Sequence, residues 1–93
     1  MGKKVTWFYL NGCPYCRQAG RALEELIREN PAYASVEIER NEENEHPEIA
    51  DRYDYYSVPS TFVDGVKIYE AHPGEEYGEA LAGVKSTLDA ALS

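Results

Sequence analysis

The stretch from Lys4 to Asn30 constrains the fold of this chain more than any other. Val5, Thr6, Trp7, Phe8 and Tyr9 form a run of β-branched and aromatic residues that ends at the turn-forming pair Asn11-Gly12, which reads as a buried strand over Lys4 to Leu10. The period then changes. From Pro14 to Asn30, residues Cys16, Ala19, Leu23, Leu26 and Ile27 recur at helical spacing, with Arg17, Arg21, Glu24, Glu25 and Arg28 on other faces, and Pro31 stops the run. A strand, a tight turn and an amphipathic helix thus follow one another directly, with Cys13 in the turn and Cys16 on the apolar stripe of the helix.

The remaining elements complete the pattern. Val36-Glu37-Ile38-Glu39 alternates as a short strand does, and a polar connection leads to a helix expected from Pro47 to Tyr53. Thr61-Phe62-Val63 and Val66-Lys67-Ile68-Tyr69 flank Asp64-Gly65, the two-residue type I′ signal of a β-hairpin. After Pro73-Gly74, Leu81, Val84, Leu88 and Leu92 repeat at helical spacing. The order is βαβ followed by ββα, which predicts an α/β fold with a four-stranded mixed sheet flanked by helices. At 93 residues, residues 1–93 are expected to be a single domain, too short to divide into two units that each bury a core.

Composition narrows the function. Seventeen acidic against nine basic residues give a net charge of −8, which repels phosphate backbones and anionic lipid, so nucleic acid and membrane are not expected partners. Met1-Gly2-Lys3-Lys4-Val5-Thr6 fits the loose myristoylation pattern, but Thr6 reads better as part of the first strand. No secretory signal is visible, because the apolar run after Lys3-Lys4 stops at Leu10. A cytoplasmic monomer is expected.

The two cysteines need an explanation other than stapling, since a ring closed over three positions removes little unfolded-state entropy. Cys13 falls where a helix N-terminus leaves backbone N–H groups unpaired and carries partial positive charge, which favours thiolate over thiol. Pro14 suits the first helical position. Cys16, one turn on, faces the core and is close enough to attack a mixed disulfide on Cys13. These features predict Cys13 as nucleophile and Cys16 as resolving thiol. A metal is not expected: zinc would need two further ligands, and His46 and His72 lack the spacing of a zinc site and read as solvated loop residues.

Cys13-Pro14-Tyr15-Cys16 resembles the dithiol motif of the glutaredoxin/thioredoxin-like family, and Val58-Pro59 before Thr61-Phe62-Val63 resembles that family's cis-proline element. The resemblance spans nearly the whole chain. It implies a thioredoxin fold of glutaredoxin type (β-α-β-α-β-β-α) with a cis peptide at Pro59, the Val58 backbone free to pair with an extended substrate, and Pro14, Tyr15, Val58, Pro59, Gly74 and Glu75 around that substrate. It also implies no bound cofactor, with glutathione as a co-substrate, and as partner a disulfide-containing protein or a glutathione mixed disulfide. Two departures weigh against glutathione. Leu10 stands where the family usually has a basic residue, and Ala71-His72-Pro73-Gly74-Glu75-Glu76 replaces its Gly-Gly turn, leaving Gly74 and Glu75 or Glu76 as stand-ins.

The expected function is therefore reduction of protein disulfides or glutathione mixed disulfides, with a glutathione-independent thioredoxin-like reductase as the alternative and a non-catalytic binding module or redox sensor as a third reading. Cluster bridging is not expected, because Pro14 restricts the approach that ligation needs. Two features stay open at this level. Glu37 to Asp54 carries eight acidic and two basic residues, which reads as a solvated face or as selection for a basic partner. Tyr53, Tyr55 and Tyr56 read as core packing, or as an aromatic wall beside the cysteines.

Overall fold

The computed structural model describes residues 3–93; Met1 and Gly2, which open the acylation-like pattern, lie outside it. The elements are β1 (Val5–Tyr9), α1 (Pro14–Glu29), a 3-10 turn (Pro31–Ser35), β2 (Ile38–Glu42), α2 (Pro47–Ala50), β3 (Ser60–Val63), β4 (Val66–Glu70) and α3 (Tyr77–Leu92). The four strands form one sheet in the order β2-β1-β3-β4. β1 runs parallel to β2 and antiparallel to β3, and β3 pairs antiparallel with β4. This is the mixed sheet expected from the sequence, and α1 supplies the long crossover that a parallel pair requires.

Alternation along β1 divides the molecule into two layers. Val5 and Trp7 belong to the core that α1 and α3 close with Ala19, Ala22, Leu23, Leu26, Val84 and Leu88. Phe8 points the other way, where its ring stacks on Tyr55 at 4.8 Å and meets Tyr53 at 5.0 Å and Phe62 at 5.9 Å. The packing reading of Tyr53 and Tyr55 thus holds, whereas Tyr56 is 93% exposed.

Two element boundaries differ from expectation. The second strand begins at Ile38 and runs to Glu42, not Val36 to Glu39, because Val36 closes the 3-10 turn by donating its N–H to the Tyr33 carbonyl. The second helix ends at Ala50, since Tyr53 turns inward to the Phe8 and Phe62 rings. The acidic segment is accordingly an edge strand, a turn and one helical turn, not a continuous helix face. Asp64 and Gly65 both have positive φ, as the hairpin signal requires.

Candidate active site

The site forms where β1 ends and α1 begins. Cys13 is the N-cap of α1 in extended backbone, Pro14 occupies the first helical position, and the Cys13 sulfur accepts the backbone N–H of Cys16 at 3.4 Å. A helix start therefore aims an otherwise unpaired N–H at this sulfur. The Cys13 thiol also points at the Val58 carbonyl, 4.0 Å away, and the Val58-Pro59 peptide is cis. Val58 and Pro59 reach this position because β3, which follows them, pairs with β1, the strand that precedes Cys13.

Cys16 differs from its neighbour in sequence. Its sulfur accepts the Leu10 N–H at 3.5 Å, and burial pushes the thiol up to about 12, partly offset by that hydrogen bond. Both cysteines are free thiols and half-buried. At neutral pH Cys16 stays protonated, so the pair holds one thiol in reserve beside another at a helix N-terminus.

The other residues singled out in the sequence gather around this pair. Tyr15 Oη accepts the Gly74 N–H at 2.6 Å, Gln18 Nε2 donates to the Glu75 carbonyl at 3.2 Å, and these bonds tie the 71–76 loop to α1. Tyr15, Val58, His72 and Pro73 line a hollow of about 200 Å³ on the β3 side of the thiols. Glu75 does not project into it: its side chain is buried and accepts the Tyr69 hydroxyl at 2.5 Å. Leu10 lines a second hollow, of about 250 Å³, on the β2 side. Among the described residues no group of three or more His, Cys, Asp or Glu side chains converges as a metal site. His72 is exposed and bonded to Glu79, whose carboxylate raises its pKa.

Sequence reasoning missed two carboxylates that hold the site's frame. Glu42, 5% exposed, accepts the N–H groups of Asn11 at 3.0 Å, Asn44 at 2.6 Å and Glu45 at 3.2 Å, so it ties the turn before Cys13 to the end of β2. These donors, the Asn11 N–H foremost, hold its carboxyl below the usual range. Glu70 accepts the N–H groups of Tyr56 and Ser57, both at 2.8 Å, and so fixes the approach to Val58-Pro59. Burial raises its pKa, but Lys67 and those two N–H groups outweigh that and leave it lowered. The bonds that bear on the site, from Asn11 to Glu42 and from Tyr56 and Ser57 to Glu70, join residues 13 to 31 positions apart, so no local pattern signals them.

A mixed four-stranded sheet with a strand-turn-Cys-x-x-Cys-helix unit beside a cis-proline is a fold of the thiol-disulfide oxidoreductase type. Residues 3–76 match the family model described as thioredoxin domain, and the chain belongs to that family. No curated protein sequence matches it. Among solved structures, one titled as the structure of a malarial protein is similar over 95% of this chain and 99% of that one, with a TM-score of 0.62 at 13% identity. The zinc-bound form of human ERp44 is similar over 88% of this chain, with a TM-score of 0.52 at 20% identity; the match takes in 25% of the ERp44 chain. At these identities the likeness is one of fold.

Proposed function

We propose that the protein is a dithiol oxidoreductase of glutaredoxin type that reduces protein disulfides or glutathione mixed disulfides. One observation carries this reading: the Cys13 sulfur lies between a helix-start N–H and the Val58 carbonyl, while Cys16 beside it is kept as a thiol. The Cys13 thiolate attacks one substrate sulfur. A Cys13–substrate S–S bond forms, the substrate's own S–S bond breaks, and the departing thiolate takes the electron pair and then a proton from water. Cys16 loses its proton to solvent and attacks the Cys13 sulfur, which expels the second substrate thiolate. The substrate gains two electrons, the protein ends with a Cys13–Cys16 disulfide, and an external thiol, glutathione in this reading, restores it.

The hollow at Tyr15, Val58, His72 and Pro73 suits an extended substrate paired to the Val58 backbone, with Pro14 and Pro59 beside it and the Gly74 and Glu75 backbone closing the far end through Tyr15 and Gln18. Cys13→Ser is expected to abolish turnover in both a glutathione-coupled hydroxyethyl disulfide assay and a thioredoxin-reductase-coupled insulin assay; full activity in either sinks the reading. The second reading, a reductase that does not use glutathione, is favoured by Leu10 at the end of β1. It predicts insulin reduction without saturable dependence on glutathione. The same reading has the protein working in the cytoplasm as a monomer, and its net charge of −8 disfavours nucleic acid and anionic membrane as partners.

A further inference from the structure

A hollow lies on each flank of β1: Cys13 and Cys16 line the one on the β2 side, and Val58, whose carbonyl faces the Cys13 sulfur, lines the one on the β3 side. That on the β3 side serves the proposed function; that on the β2 side has different chemistry. Trp7 and Tyr9 lie beneath it, Cys13 and Cys16 stand at one side, and Arg17 and Arg40 reach it from α1 and β2. The parallel register sets Arg40 directly beside Trp7, and its guanidinium lies 5.6 Å from the centre of the indole ring. Both arginines are exposed, and among the described residues neither is ion-paired. The same lining, among the described residues, contains no carboxylate. The nearby Glu42 carboxylate is occupied by three backbone N–H groups. In a chain of net charge −8, two arginines lining one aromatic-floored hollow beside the thiol pair make a local site for negative charge.

The crevice, about 250 Å³ and open to solvent on one side, has room for a short side chain. We propose that this crevice is a specificity subsite for disulfides that carry a carboxylate on a short apolar stem next to the sulfur, the stem against Trp7 and Tyr9 and the carboxylate at Arg17 and Arg40. The inference rests on the proposed thiol-disulfide exchange and names the substrate class for it. It also supplies positive charge beside the thiols where Leu10 does not. The carboxylate can come from a small thiol or from an acidic residue flanking a protein cysteine.

The test compares kcat/KM for dianionic 3,3′-dithiodipropionate, neutral hydroxyethyl disulfide and dicationic cystamine. The expected order is anionic, neutral, cationic. Arg17→Gln with Arg40→Gln is expected to lower the dithiodipropionate-to-hydroxyethyl disulfide ratio about fivefold, the scale of exposed charge pairs, and added salt to lower it likewise. Arg52→Gln, remote from the crevice, leaves the ratio as it was. Disulfide-linked peptides with Asp or Asn beside the cysteine separate the sources: faster turnover of the Asp peptide marks a protein acid, and equal rates beside a dithiodipropionate preference mark a small thiol. No charge preference, or one that survives the double substitution, overturns the subsite.

Trp7 is the sole tryptophan and gives a readout that needs no turnover. In a Cys13→Ser, Cys16→Ser protein, dithiodipropionate is expected to change its fluorescence saturably, and the arginine substitutions to remove that change. If no disulfide turns over but this titration saturates, the proposed function falls and the subsite stands. If turnover is present without charge preference or saturable signal, the subsite falls and the proposed function stands.

Discussion

Cys13 and Cys16 are three residues apart, yet the fold gives them different surroundings. The Cys16 sulfur sits against the Leu10 N–H, and burial lifts its thiol to about 12. Below that value the thiolate fraction rises about tenfold per pH unit. The second half of exchange, in which Cys16 attacks a mixed disulfide on Cys13, is therefore expected to speed up about tenfold per unit from pH 6 to 9. Stopped-flow decay of a preformed Cys13 mixed disulfide measures this; a pH-independent rate would mean that Cys16 is already ionised. The pair itself was legible in the sequence, because strand, turn, proline and helix are local signals that agree. Arg40 was not, since its place beside Trp7 depends on the register of a parallel pair formed across a long crossover.

At the scale of elements, legibility followed the apolar pattern. β1 and the β3-β4 hairpin were read correctly because their side chains are β-branched or aromatic and their turn needs positive φ at Asp64 and Gly65. β2 was misplaced because Arg40, Asn41 and Glu42 carry no apolar alternation; Asn41 and Glu42 are buried all the same, with Asn41 bonded to Glu39 and Glu42 capping the turn. Gly83 in α3 looked unremarkable in sequence. A Cβ there would lie 2.2 Å from Cδ1 of Tyr69, a buried ring whose hydroxyl is held by Glu75. Alanine is normally the better helix former, by about 1 kcal/mol, but here overpacking costs about 1–3 kcal/mol and dominates. Gly83→Ala is expected to lower the melting temperature in thermal unfolding followed by circular dichroism. A raised value would show that α3 and β4 can separate freely.

At the scale of the whole molecule, a buried hydrogen bond joins the sheet to the loop beside the site. Tyr69 leaves β4, its hydroxyl donates to the Glu75 carboxylate, and burial with that carboxylate pushes its pKa well up. The Glu75 carbonyl takes Gln18 Nε2 from α1, and the neighbouring Gly74 N–H bonds Tyr15, so the loop beside the β3-side hollow is anchored to sheet and cysteine helix together. Among the described residues the Glu75 side chain, 6% exposed, has Tyr69 as its hydrogen-bond partner. Tyr69→Phe keeps the ring and strands the carboxylate, which costs about 1–3 kcal/mol, the price of an unsatisfied buried group. Replacing both partners, as Tyr69→Phe with Glu75→Leu, removes the orphan and should recover part of that loss. A double-mutant cycle by urea unfolding is expected to give a coupling energy of about 1–3 kcal/mol. Because the loop borders the hollow and not the sulfurs, Tyr69→Phe should raise KM for a peptide disulfide more than it lowers kcat. A coupling energy near zero, or a loss confined to kcat, would mean that the loop is held without this bond and that β4 does not reach the site through it.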